Sequence, residues 1–470
     1  MSESIHVDVA VLGGGPGGYT AAFRAADLGL SVCLIESSET LGGVCVNEGC
    51  IPSKTLLHAT SMLTEAQHAQ SMGVSFGEIQ VDIDAMRAHK VATVEALTSG
   101  IAKLAKARGI QRVKGIGVFK TKHSLQVTGE SDTSVVTYDH AIIATGSKPV
   151  EIPGMPKHQR IWDSTDALDL TSIPKRLLII GGGIIGLEMA QVYASLGSKI
   201  TIVEAAEQII PAADKDVIQP LQKNIKKRYD ILTRTKVVDM VVEDGGVVVT
   251  MEGKKALEPQ MFDAVLVAVG RRPNTMAINL DVLEISLHED QRIPVDDTMQ
   301  TLQPGIYAIG DIVAGPMLAH KATHEGKVAA EAIAGIKMAA KPALIPSVAY
   351  TSPEVAWVGL TEKEAKEQEV EYDIGKVPWL VSGRAQSVGA ANGMTKALFD
   401  KKTGALLGAS ICGENAGELI HEAVIAMTLG GRAKDIAHAV HAHPTLSETF
   451  AFAAELVEGT MTDMLPPRKR

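Results

Sequence analysis

Cysteine is scarce in this chain: Cys33, Cys45, Cys50 and Cys412 are the only four in 470 residues. So few exclude a scaffold stapled by disulfides, and a cysteine pair in a reducing compartment is usually catalytic or transient. Also missing is any run of about 18 uninterrupted apolar residues, the length a membrane helix needs. The most apolar stretch, Ile179 to Val203, is broken by glycines, Glu188 and Lys199. Met1 to Asp8 carry Glu3, His6 and Asp8 rather than the basic start of a signal peptide, so a cytoplasmic location without a membrane partner is expected. Grouped positive charge is lacking too. Lys and Arg total 45 against 55 Asp and Glu, a net charge of −10. That excludes a nucleic-acid partner, which demands clustered cations; a basic protein partner fits better. Apart from Lys106 to Arg112, the basic run is the tail Pro466 to Arg470, to which no function is assigned.

What is present fits a large folded protein of two to four domains, with 46% hydrophobic and 21% charged residues. The chain repeats itself. Val7 to Leu12 reads as a buried strand, followed by Gly13-Gly14-Gly15-Pro16-Gly17-Gly18, a helical stretch to Leu28, and a second strand from Ser31 to Ile35 that ends at Glu36. The same order recurs from Arg176 to Ile180, through Gly181-Gly182-Gly183-Ile184-Ile185-Gly186, to Lys199 to Val203 ending at Glu204. First glycine and acidic residue are 23 positions apart in both copies. Such turns let a backbone approach pyrophosphate, offer it a helix N-terminus, and place a carboxylate for the ribose hydroxyls. One copy is weak evidence and two are strong. A closing strand also repeats, from Asp139 to Thr145-Gly146 with Pro149 and from Asp263 to Gly270 with Pro273.

The predicted fold class is therefore α/β, with two Rossmann-like dinucleotide-binding domains, one inserted in the other, and a C-terminal α+β domain. Expected boundaries are 1–150, 151–273, a return segment 274–346 that contains Gly310-Asp311, and 347–470. Helical periodicity marks Ser53 to Ala69 and Asp84 to Arg108. Strand-like alternation marks Ser347 to Val358 and Ala397 to Ile411, with helices from Leu419.

Gly42-Gly43-Val44-Cys45-Val46-Asn47-Glu48-Gly49-Cys50-Ile51-Pro52-Ser53-Lys54 follows the first unit. Residues five apart in a regular helix are separated by about 7.5 Å along its axis, too far for a disulfide. A bridge needs an irregular helix start, and Gly49 and Pro52 are expected to supply it; a helix N-terminus also favours a thiolate. Two unrelated thiols or a metal half-site are the alternatives, but there is no second cysteine pair and His58 stands alone, so no metal is expected. Cys33 and Cys412 lie in apolar runs and read as packing.

Near the C-terminus, His441-Ala442-His443-Pro444-Thr445-Leu446-Ser447-Glu448 sets His443 where Pro444 makes its backbone extended and Glu448 can orient its ring. His438 and His441 are expected to be structural.

Over nearly its whole length the sequence resembles the pyridine nucleotide-disulfide oxidoreductases, and its cysteine segment is most similar to the members that oxidise dihydrolipoyl groups. That resemblance implies tightly bound FAD, NAD+ as co-substrate, and a homodimer formed through the C-terminal domain. It implies partners in the lipoyl domains and acyltransferase core of 2-oxo acid dehydrogenase complexes, or the lipoyl protein of glycine cleavage. It implies Cys50 against the flavin, Cys45 exchanging with substrate, Lys54 near the flavin and paired with Glu188, and His443 as base with Glu448 as its partner. FAD would meet Gly13, Gly15, Gly18, Glu36, Lys54, Gly117, Thr145, Gly146, Asp311 and Ala319. NAD+ would meet Gly181, Gly182, Gly183, Ile184, Ile185, Gly186, Glu204, Val237 and Gly270. Glu204 favours NAD+ over NADP+, since no arginine follows among Ala205, Ala206, Glu207 and Gln208. Ile184 stands where several relatives have a gating tyrosine. Other readings are a reductase of glutathione-like or metal substrates, for which a C-terminal cysteine pair is lacking, and a cofactor-carrying docking protein.

Overall fold

The computed structural model describes residues 4–254, 258–336 and 344–465; the basic tail from Pro466 lies outside them. The first sheet has seven strands. Gln111–Lys114, Val32–Glu36, Ser4–Leu12 and Thr133–Ile143 pair in parallel in that order. One edge of Thr133–Ile143 is shared: its first half pairs antiparallel with Ser124–Thr128, which carries Ile116–Thr121, and its last residues pair in parallel with Ile306–Ala308. The chain thus returns to its first sheet after leaving it for more than 150 residues.

Between departure and return lies a second parallel sheet, ordered Tyr229–Thr233, Lys199–Glu204, Arg176–Ile180, Ala264–Val267, Ile161–Trp162. The two crossings, Ser147–Pro149 and Arg271–Pro273, pair antiparallel with each other. Fully buried strands such as Val32–Glu36 and the Leu177 to Ile180 run explain why both sheets read as continuous apolar stretches. The helix Pro16–Asp27 packs against Ala319–Ile333, where a Cβ on Gly326 would fall 2.6 Å from the Gly17 carbonyl oxygen. The return helix fits only because its contact is a glycine.

The last unit is a five-stranded antiparallel sheet covered by helices Ala416–Thr428 and Glu448–Glu458. The two alternating stretches each supply two strands of this sheet: Ser347–Ala349 and Glu354–Gly359, then Met394–Asp400 and Leu406–Gly413. A helix expected from Asp84 begins at Ile83 with Asp82 as its cap, its side chain accepting from the Ala85 N–H at 2.9 Å.

Candidate functional site

Both glycine turns are built alike. Gly13 and Gly181 have φ of +110° and +112°, and a Cβ there would lie 2.2 and 2.3 Å from the carbonyl oxygens of Ala144 and Ala268. A side chain is excluded at either position by backbone strain and by contact. The next N–H in each turn is tied down by the acidic residue: Gly14 donates to Glu36 Oε2 and Gly182 to Glu204 Oε2, both at 2.7 Å. Each carboxylate's other oxygen accepts from a backbone N–H two residues on, Ser38 at 2.8 Å and Ala206 at 2.7 Å. The expected ribose acceptors therefore also lock the turns that would carry phosphate. Gly14, whose N–H does this locking, is in the turn but not among the expected FAD contacts.

One continuous cavity of about 1630 Å³ joins the two turns. Its wall includes Gly13, Gly15, Gly18, Glu36, Gly117, Thr145, Gly146, Asp311 and Ala319 on one side, and Gly181, Gly183, Ile184, Ile185, Glu204, Val237 and Gly270 on the other. Gly182 and Gly186 do not face it. Gly186 sits beneath the turn, where a Cβ would meet the Gly181 carbonyl oxygen at 2.1 Å.

The same wall carries Cys45, Cys50, Lys54 and Glu188. Cys45 is in the short helix Gly43–Asn47, and Cys50 opens the long helix Cys50–Ala69. The break that brings them together is at Glu48 and Gly49, the latter with φ −145° and ψ −102°. Pro52 was expected to share in this break but lies inside the first helical turn, where its missing N–H has no helical partner to lose. Both cysteines are free thiols, and each is the largest influence on the other's ionisation. A hydrogen bond from Cys45, with help from the Lys54 ammonium, outweighs burial and lowers the Cys50 thiol to about 7. The Cys45 thiol is pushed up by donating that bond and by burial. Cys33 and Cys412 are buried thiols raised to about 12 by loss of water, and are inert packing as expected.

Lys54 reaches Glu188, buried at 3% exposure, with Nζ at 3.0 and 2.8 Å from its two oxygens. Glu188 also accepts from the Tyr350 N–H at 3.1 Å, and the Lys54 ammonium sits 4.6 Å from the centre of the Tyr350 ring. Tyr350 was not foreseen. Neither was the chain in which Arg271 Nε donates to Ser147 Oγ at 2.8 Å and Ser147 donates to Asp311 Oδ2 at 2.5 Å. The adjacency of Arg271 to the closing Gly270 was the available signal.

His443 stands apart. Its Nδ1 is 2.9 Å from Glu448 Oε1, whose other oxygen accepts from the Thr445 N–H at 2.7 Å. The pair is formed, yet the His443 side chain is 77% exposed and is not part of the cavity wall. His441 is structural in its contacts, held by Glu422 at 3.1 Å and the Ala439 carbonyl at 2.9 Å. Among the described residues no helix is long and apolar enough to cross a membrane.

The geometry can be set beside known proteins. The sequence profile described as pyridine nucleotide-disulphide oxidoreductase matches residues 7–326, and that of the same family's dimerisation domain matches residues 345–454. The dihydrolipoyl dehydrogenase of Vibrio parahaemolyticus is 50% identical over 100% of this chain and 99% of its own. That of Haemophilus influenzae is 50% identical over 99% and 98%. Among solved structures, LpdA from Mycobacterium tuberculosis superposes with a TM-score of 0.88 at 26% identity, covering 96% of this chain and 99% of its own.

Proposed function

Because this chain belongs to the pyridine nucleotide-disulphide oxidoreductase family, we propose that it oxidises dihydrolipoyl groups to lipoyl groups and reduces NAD+ to NADH, with FAD between them. The observation that carries the reading is the thiol pair, one member acidified, lining the same cavity as two matching dinucleotide turns. FAD suits the end at Gly13: the turn admits no side chain, Glu36 is poised beside it, and Asp311 is oriented by Ser147 and Arg271. NAD+ suits the end at Gly181, with Glu204 against the adenosine ribose. Bound FAD would supply the two-electron relay between the cysteine pair and the nicotinamide.

The residues divide the work as follows. His443, its ring held by Glu448, removes a proton from a substrate thiol. The thiolate attacks Cys45 of a Cys45–Cys50 disulfide, and Cys50 leaves as a thiolate beside the Lys54 ammonium, which favours that form. The second substrate thiol then attacks the mixed disulfide, closing the lipoyl ring, and its proton goes to Cys45, which is released as a thiol. The substrate has lost two electrons and two protons, and the cysteine pair holds the electrons. Lys54, fixed by Glu188, keeps positive charge beside the Cys50 thiolate.

Since His443 is outside the cavity of its own chain, we assign it to the cysteine pair of a second copy, in a two-fold dimer. The lipoyl groups would be those of 2-oxo acid dehydrogenase complexes or of the glycine-cleavage lipoyl protein, in the cytoplasm. Steady-state rates with dihydrolipoamide and NAD+, compared with glutathione disulfide and NADPH, test the reading. Faster turnover of the second pair would overturn it.

A further inference from the structure

The two dinucleotide units keep their register beyond the acidic residue. Gly42 donates its N–H to the Gly14 carbonyl at 2.9 Å, and Ile210 donates to the Gly182 carbonyl at 2.9 Å. Both pairs are 28 residues apart. Both donors have a left-handed backbone, φ +121° at Gly42 and +45° at Ile210. Glycine adopts this without cost, whereas for a buried β-branched isoleucine it is strained and persists only where the surroundings impose it. In the first unit the chain runs on from this point into the cysteine helices. In the second it runs into a buried cluster of charge.

That cluster centres on Lys396, 1% exposed, from the C-terminal sheet. Its ammonium bonds Asp214 at 2.9 Å, Asp216 at 3.0 Å and Glu362 at 2.7 Å. Asp214 also accepts from the backbone N–H groups of Glu362 and Lys363, at 2.8 and 3.2 Å. Lys376 and Lys366 reach the outer oxygens of Asp216 and Glu362. Three carboxylates thus meet three ammonium groups, and the buried one holds all three acids. From Asp214 the path to the turn is short: the Ala213 N–H donates to the Ile210 carbonyl at 3.0 Å, and Gln208 Nε2 donates to the Ala213 carbonyl at 2.9 Å. Ile209 packs under Gly182, with its Cγ2 3.0 Å from where a Cβ on Gly182 would be. Pro211 in the same strap faces the cavity.

We propose that Lys396 is a positioning residue for the nicotinamide dinucleotide: by anchoring Asp214 it holds the strap 208–214 against the Gly181–Gly183 turn and sustains the left-handed Ile210. The C-terminal unit thereby sets the NAD+ site of the inserted unit. The flavin turn, backed by Gly42, is independent of it. The proposal rests on the reading of the second turn as the NAD+ site.

The test uses the FAD-loaded full-length enzyme. NAD+ affinity is measured by calorimetry, and flavin reduction by dihydrolipoamide is followed by stopped flow without NAD+. Lys396→Met should weaken NAD+ binding roughly fivefold or more, the scale expected for a residue coupled through one packed segment, and leave the flavin-reduction rate within about twofold. Glu362→Gln, which removes one of the three acids and disturbs folding less, should weaken NAD+ in the same direction by a smaller factor. Lys376→Met, which touches only Asp216, should leave NAD+ affinity unchanged. Unaltered NAD+ affinity in Lys396→Met overturns the proposal, as does an equal fall in both readouts; if that variant does not fold, the same outcomes in Glu362→Gln decide. Wild-type enzyme that binds no NAD+ would instead overturn the underlying reading of the site.

Discussion

Replacing Cys45 by serine and by alanine should separate the causes that acidify Cys50. The Cys50 thiol is lowered from an ordinary 9.0 to about 7, chiefly by the hydrogen bond from Cys45, then by the Lys54 charge, against burial and Glu188. Serine keeps a donor at that place and alanine does not. A thiol titrating near 7 is about 90% thiolate at pH 8, and one titrating near 9 is about 10%. Lys54 and the helix N-terminus remain in both variants, so the alanine midpoint should settle between these limits and above that of the serine variant, with less thiolate at pH 8. The assay is long-wavelength absorbance of the oxidised FAD enzyme, where a thiolate against the flavin donates charge, recorded from pH 5.5 to 10. In both variants the band should rise with pH, and Cys50→Ser should show none at any pH. Identical midpoints for serine and alanine would refute the hydrogen bond as the main cause. A band retained in Cys50→Ser would exchange the roles of the two sulfurs.

Other outcomes follow from the same geometry. Glu204→Arg should move the ratio of specificity constants towards NADP+, and should lower activity with both nucleotides because the Gly182 and Ala206 N–H groups lose their acceptor; an unchanged ratio would mean that Glu204 does not face the ribose. Glu362 is lowered to about 2 because Lys366 and Lys396 outweigh its burial, so its stabilisation is full above the ordinary carboxylate range and is lost as pH falls towards 2. Glu362→Gln should therefore lower the urea midpoint at pH 7 more than at pH 3, and an equal loss at both would contradict this. Gly18→Ala, with its Cβ 1.8 Å from the Gly13 carbonyl oxygen, should purify with most of its flavin missing, as read from the ratio of visible to ultraviolet absorbance. Reassociation of Cys50→Ser with His443→Gln subunits should restore about a quarter of wild-type activity, because about half of the dimers are mixed and each has one intact site; verified mixed dimers without activity would sink the shared site.

The parts of the site legible in the sequence are those whose cause is local. Glycine at 13 and 181 is dictated by its own left-handed backbone, φ +110° and +112°, and His443 and Glu448 are five residues apart, so pattern alone found them. The helix break was anticipated but placed partly at Pro52, because proline marks both a broken helix and a helix's first turn. Long-range polar geometry was not legible. Lys396 meets Asp214 across 182 residues, and Ser147 meets Asp311 across 164, with no spacing rule to announce either. Ile210 is harder still, since a β-branched residue argues against the left-handed backbone it adopts.

The interleaving of the two parallel sheets has a consequence for synthesis. Chains emerge from the ribosome N-terminus first, and domains commonly fold in that order. Here the strands of the inserted sheet all lie between Ile161 and Val267, so that unit has every strand it needs while the first sheet still lacks Ile306–Ala308 along Thr133–Ile143. Lys54, made early, must wait 134 residues for Glu188, and Asp311 follows only after the last strand of the first sheet. The unit translated first is thus the later of the two to have all its strands, and its flavin pocket is completed only after every strand of its neighbour has been made.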